Sequence, residues 1–293
     1  MLRLFRTASV CVVAGLAAVA LHCGGAGEPQ VDPETEYRVD LRAPARHDRT
    51  IPAPLLVVLH GHEQSEGQAV GLWDGRFFSD PDFILASVRG PFEAEDGYAW
   101  FTQSREVSDE WVVRAKRSVK AIEDRVLDAV AEAEDSFEID PDAIYVLGFS
   151  QGAGAAFCVG LRNPDVFAGI AAVAGNLDTA IVDVGRLGEV DDMAAFIALG
   201  RGEGTRAVEA VRGSEALLRE LGLDIEVFLH DGGHVITPDI VHEMQDFFGL
   251  GTGTTLDTDD SGFDDLDSEE GLTDFDLEGE SDEYYEEEEY DEY

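Results

Sequence analysis

Along the middle of the chain, short continuous apolar runs alternate with longer stretches in which apolar and charged residues mix. The runs at 55–59, 83–88, 143–147, 170–174, 194–199 and 225–229 are too short for stable helices, and they are rich in Val, Ile, Leu, Phe and Ala. That pattern predicts strands buried on both faces, with 37–41 as an outer strand. Between them, Trp111, Ala115, Val119, Ile122, Val126 and Val130 recur at intervals of three and four, which lays one apolar stripe along a long helix whose other face is charged. Further helices are expected at 151–161, 205–221 and 238–248. Strands that alternate with amphipathic helices imply an α/β protein with a mostly parallel central sheet and helices on both faces. No internal repeat is present.

The ends of the chain depart from this pattern. Arg3 and Arg6 precede an apolar run over 8–21 and then small residues, the layout of a secretory signal and too short for a comfortable membrane span. Two cleavage sites compete. Ala18-Val19-Ala20 fits cleavage after Ala20, whereas Cys23 followed by Gly24-Gly25 resembles the lipid-modified cysteine of bacterial lipoproteins; the second is the expectation adopted, although His22 stands where a small residue is usual. The resulting organisation is a signal at 1–23, a Gly/Pro-containing linker at 24–34, one domain at 35–250 and a tail at 251–293. About 220 residues are enough for one α/β core. The expected location is outside the cytoplasm, in a bacterial cell envelope or secreted.

Charge sharpens the reading by exclusion. The net charge is −42, and the tail alone carries 20 Asp and Glu with no Lys, Arg or His. A surface this acidic repels phosphodiester backbones and anionic bilayers, so nucleic acid is not an expected partner, and membrane contact is expected only through an N-terminal lipid. The tail reads as a solvated, disordered segment. Asp257, Asp259, Ser261 and Gly262 imitate the start of a calcium loop, but Ser268 occupies its twelfth position, leaving at most weak cation binding. Of three cysteines, Cys11 and Cys23 fall in the signal, so Cys158 has no domain partner and reads as a small buried hydrophobe.

The candidate chemistry begins where the strand at 143–147 runs into Gly148-Phe149-Ser150-Gln151-Gly152 and then a helix rich in small residues. Strand, tight turn and helix together project a serine from the fold, and Ser150 is the candidate nucleophile. The first core strand ends in Leu59-His60-Gly61-His62, whose end should lie beside that turn. There the amides of Gln151 and His62 are the candidate oxyanion donors, and His60 is expected to orient the loop. Among seven histidines, His234 alone follows a late strand in a glycine loop, Asp231-Gly232-Gly233-His234, and is the candidate base. His230 would sit on the strand end, His242 on a helix, and His22 and His47 come too early. The acid should follow a strand between the serine and the histidine, which selects Glu203 in Gly200-Arg201-Gly202-Glu203, with Asp191, Asp192 and Asp224 as weaker alternatives.

These residues resemble the carboxylesterase/phospholipase family of α/β-hydrolases, which includes acyl-protein thioesterases and lysophospholipases. The resemblance spans about 54–248 and rests on LLVVLHG at 55–61, YAWF at 98–101, IDPDAIYVLGFSQGAG at 139–154, NPDVFAGIAAVAG at 163–175 and GGHVI at 232–236. It implies an α/β-hydrolase fold with little or no lid, and a serine hydrolase that acts on small carboxylic esters or thioesters through an acyl-enzyme without metal or cofactor. It also implies that Trp100 and Phe101 border the acyl pocket, although as residues alone they could equally be core aromatics. The chain departs from the family at Leu199, where His is usual, at Glu203, where Asp is usual, at His62, where a second glycine is common, and at Thr102, where Asp is common. Those departures motivate an alternative from another class: a non-catalytic envelope protein on a hydrolase scaffold, whose acidic tail binds cations or partners.

Overall fold

Each expected apolar run forms a strand in the computed structural model, which describes residues 34–44, 47, 50–73, 81–102, 109–190 and 192–250. The segment expected to be a signal, with Cys23, nearly all of the expected linker and the acidic tail lie outside the described residues. In chain order the elements are β1 (Val39–Arg42), β2 (Ala53–Leu59), α1 (Glu66–Trp73), β3 (Ile84–Val88), β4 (Phe92–Glu93), β5 (Tyr98–Ala99), α2 (Asp109–Ser136), β6 (Ile139–Phe149), α3 (Gln151–Gly160), β7 (Gly169–Val173), β8 (Ala194–Gly200), α4 (Thr205–Glu220), β9 (Asp224–His230) and α5 (Pro238–Phe248).

Among the described residues, seven strands form one sheet in the order β1-β3-β2-β6-β7-β8-β9. Only β1 runs antiparallel, pairing with β3; every other neighbour is parallel. The fold is that of an α/β-hydrolase. Successive side chains of a strand face opposite ways, and β2 shows what each face buries. Leu55, Val57 and Leu59 join a cluster with Val119, Ile122 and Val126 of α2, residues of α3, and Val211 and Leu218 of α4. Leu56 and Val58 face a second cluster with Ala69 of α1 and Ile240, Val241 and Met244 of α5. Each of the Leu, Val, Ile and Met side chains among these contributes about 1.5–3 kcal/mol by leaving water, so tertiary burial rather than helix propensity holds α2 in place.

The register decides where chemistry can occur. Leu59 of β2 lies beside Gly148, Val173 beside Phe149, and Gly200 beside His230, so the parallel strands finish level with one another. Strand order reverses between β2 and β6, the place in an open α/β sheet where loops diverge and leave a crevice at the carboxyl ends.

Three features lay outside the expectation. Helix α1 contains Gly67 and Gly71 and little amphipathic signal, and the β4–β5 hairpin has strands of two residues each, too short for any period to show. Strand β6 starts at Ile139 rather than 143, because a register irregularity between Ala53 and Leu55 accommodates Asp140-Pro141-Asp142.

Candidate active site

The serine turn follows from collisions that its glycines avoid. Ser150 has φ 54° and ψ −119°, a backbone conformation an L-residue reaches only under constraint. Its amide donates to the Val173 carbonyl at 2.9 Å, and its carbonyl accepts from Ala153 at 2.9 Å. A Cβ at Gly148 would meet the Gly152 carbonyl oxygen at 2.0 Å, and one at Gly152 would meet the Leu59 oxygen at 2.3 Å. The turn therefore closes only on glycine at both positions, and its closure lifts Ser150 above the sheet edge.

His234 and Glu203 reach that point from two other loops. The ring Nε2 of His234 lies 2.9 Å from Ser150 Oγ, and its Nδ1 lies 2.8 Å from Glu203 Oε2. Glu203 ends a 3₁₀ turn, Arg201–Glu203, directly after β8. His234 stands in the loop between β9 and α5, whose start is held by Pro238 and by the Thr237 hydroxyl, which accepts from the Ile240 amide at 3.4 Å. The acid and histidine loops are joined by the Gly202 amide, which donates to the Gly232 carbonyl at 2.9 Å. The His234 side chain is half exposed while that of Glu203 is 14% exposed, so the carboxylate lies beneath the ring and the ring opens to solvent. Asp192 and Asp224 stand at the amino ends of β8 and β9, the opposite edge of a parallel sheet from Ser150; Asp191 lies outside the described residues.

Beside the turn, the amide of Gln151 is the first of α3 and has no intrahelical acceptor. Among the described residues none accepts from the His62 amide either. The loop carrying it is tightly held: the Gln64 carboxamide oxygen accepts from the Gly61 amide at 2.9 Å, Glu63 donates to Tyr98 at 3.0 Å, and Glu63 has φ 61°. The Nε2 of His60 accepts from the Gly90 amide at 2.9 Å, which leaves its Nδ1 to donate to the Gly61 carbonyl at 2.6 Å. His60 is thus a neutral orienting residue, and burial pushes its pKa down to about 4. Burial also lowers the pKa of His62. His230 accepts from Gly232 at 3.1 Å within its own loop, and His242 is exposed on α5.

Trp100 and Phe101 are both buried. Trp100 is 0% and Phe101 4% exposed, and the Trp100 indole donates to the His60 carbonyl at 2.8 Å. For Trp100 the core reading is the right one: a ring with no accessible surface supports the loop above it. Phe101 approaches α3 at Gly154, where a Cβ would sit 3.8 Å from its ring. Cys158 is buried, which pushes its thiol up to about 12, so it offers no thiolate at neutral pH. The sequence offered no sign of the Gln151 side-chain contacts or of the buried ion pair in which Arg89 Nε donates to Glu66 at 3.0 Å.

An α/β sheet whose carboxyl edge joins a strained serine, a histidine and a carboxylate defines the class as hydrolase-like. Residues 31–215 match the family described as "Putative esterase", and the chain belongs to that family. It is similar to "Putative hydrolase MhqD" of Bacillus subtilis, 28% identical over 201 residues that cover 66% of this chain and 92% of that one. It is also 34% identical to "Putative esterase NocK" of Nocardia uniformis subsp. tsuyamanensis over 67 residues, which cover 23% of this chain and only 20% of that relative. Among solved structures, a Bacillus cereus carboxylesterase superposes with a TM-score of 0.58 at 18% identity, covering 73% of this chain and 93% of that one. A Dyadobacter fermentans phospholipase/carboxylesterase gives 0.59 at 19%, covering 75% and 99%. At such identities the two structures speak for the shared fold.

Proposed function

We propose that the protein is a serine hydrolase of small carboxylic esters or thioesters. The observation that carries the reading is the unbroken line of hydrogen-bonding atoms from Glu203 Oε2 through the His234 ring to Ser150 Oγ, with contacts of 2.8 and 2.9 Å. With the proton on Nδ1 donated to Glu203, Nε2 is left to accept the serine proton as Oγ attacks the acyl carbonyl. Glu203 then stabilises the imidazolium, and the Gln151 and His62 amides bind the oxyanion. His234 returns the proton to the departing alcohol or thiol, and water, activated by the same ring, releases the acid from the acyl-enzyme. No step calls on a metal or cofactor. The Phe101 ring is assigned to the floor of the acyl pocket. For the segments outside the described residues, we propose export with Cys23 as the lipid-bearing residue and a solvated acidic tail.

Hydrolysis of a short-chain aryl ester by the purified chain tests this reading, with Ser150→Ala as the control. The variant is expected to lose about 10⁴-fold or more in kcat. Equal turnover in both proteins rejects the assignment and favours the non-catalytic alternative.

A further inference from the structure

The reaction proposed above uses the amide of Gln151 and leaves its side chain without a task. That carboxamide is nevertheless bonded through both its oxygen and its nitrogen. Its Oε1 accepts from the amides of Trp100 at 2.7 Å and Phe101 at 3.3 Å, and its Nε2 donates to the Phe101 carbonyl at 3.1 Å. Three hydrogen bonds thereby fasten the first residue of α3 to the segment that follows β5.

The same segment is fastened on its other side to the loop that carries His62. The Trp100 indole donates to the His60 carbonyl at 2.8 Å, and Tyr98 accepts from Glu63 at 3.0 Å and donates to Gln64 at 2.9 Å. Gly97 lies so close that a Cβ there would meet the Glu63 carbonyl oxygen at 2.4 Å. Residues 97–101 therefore form a strut between two distant parts of the chain, each of which presents one candidate oxyanion donor. Only glutamine fits its end of the strut. Glutamate cannot donate to the Phe101 carbonyl, asparagine is a methylene short, and an apolar side chain would leave two buried amides without an acceptor.

We propose that the Gln151 carboxamide is a positioning group that sets the spacing of the oxyanion hole through the 97–101 strut. The inference rests on the reading of the Gln151 and His62 amides as oxyanion donors. Such donors act through fixed placement, and a displacement of about 1 Å at a reacting centre can cost on the order of 10²-fold in rate.

The test uses the full chain with Gln151→Met, which keeps the backbone amide and similar bulk but makes none of the three bonds. Steady-state hydrolysis of a short-chain aryl ester should show kcat reduced by about 10- to 100-fold, with KM within about threefold of the parent. Phosphonylation of Ser150 by a fluorophosphonate, which builds a tetrahedral centre facing the same amides, should slow in parallel with kcat. Gln151→Glu keeps the two accepted bonds and should lose less; it also carries the kcat-against-KM comparison if the methionine variant does not fold. An unchanged kcat in a folded variant, or a loss expressed in KM instead, overturns the positioning role while Ser150-dependent turnover in the parent leaves the hydrolase reading standing. A parent whose turnover is indifferent to Ser150→Ala overturns both.

Discussion

The serine turn and the pair of loops that carry Glu203 and His234 converge on one point, yet they are held there by different means. The turn is a matter of a few adjacent residues: with Gly148 and Gly152 in place the backbone closes, and with any Cβ it meets carbonyl oxygens at 2.0 and 2.3 Å. The other two residues are 31 apart in sequence, and their loops meet through a backbone bond between Gly202 and Gly232 and a close approach at Gly200, where a Cβ would lie 2.2 Å from the Gly233 oxygen. One region is dictated by sterics inside a short segment. The other is an agreement between loops, at a rim where the His234 side chain is half exposed. A change in the turn should therefore damage the fold, whereas a change at the rim should damage chemistry and leave the fold intact.

The largest expected effect separates the two regions at the rim. Glu203→Gln keeps the size of the side chain but offers an amide that can impose the wrong histidine tautomer, and kcat should fall on the order of 10⁴-fold with KM and melting temperature nearly unchanged. Glu203→Asp shortens the side chain by a methylene and should fall between that variant and the parent; both are read from steady-state aryl ester hydrolysis. A parent-like kcat for Glu203→Gln would remove the carboxylate from the mechanism. The turn should answer differently. Gly148→Ala is expected to lose about 3 kcal/mol or more of stability in urea denaturation, since the overlap is with backbone that cannot step aside. A variant as stable as the parent but inactive would erase the distinction drawn between the two regions.

What the sequence disclosed follows the same division. The turn is a contiguous pattern, so Ser150 and its glycines were legible, and so were the strands, whose apolar runs differ in length from the helical stripe on α2. His234 was legible from its setting, a glycine loop after a late strand, and Glu203 because the order serine, acid, histidine along such a fold restricts where the acid can stand. The structure brings both to hydrogen-bonding distance of their neighbours. Trp100 and Phe101 could be named as an aromatic pair, but depth is a tertiary quantity, and Trp100 proves to be enclosed. The Gln151 carboxamide was beyond reach for a similar reason. Its partners are backbone groups of the 98–101 segment, and backbone groups leave no mark on sequence. Helix α1, interrupted by two glycines, and two-residue strands carry too little period to announce themselves.

The loop of His62 combines both kinds of support, and His60 beneath it should report its integrity through pH. In the unfolded chain this ring titrates near its ordinary value of 6.5; in the folded protein burial lowers the pKa to about 4. Between those values only the unfolded state takes up the proton, so the stability from the neutral, bonded ring is complete above pH 6.5 and is lost as pH falls toward 4. The loss should be on the order of 3 kcal/mol. Urea denaturation at pH 7 and pH 4 for the parent and His60→Gln isolates this contribution, because every other titrating group is common to both. Equal pH dependence in the two proteins would show that the ring is not held as described.

A smaller effect should come from the strut under the same loop. Trp100→Phe retains an aromatic ring in the core and deletes the indole donor, leaving the His60 carbonyl with one bond fewer at a buried site. The expected cost is about 1–2 kcal/mol in urea denaturation, the range for a buried acceptor deprived of its partner. The same variant refines the comparison between turn and rim. If the strut only fills space, kcat should stay at the parent value once the protein is folded. If it transmits position from α3 to the His62 loop, kcat should fall several-fold, in the same sense as Gln151→Met and by less, because two of the strut's attachments to that loop, through Tyr98 to Glu63 and Gln64, remain in place.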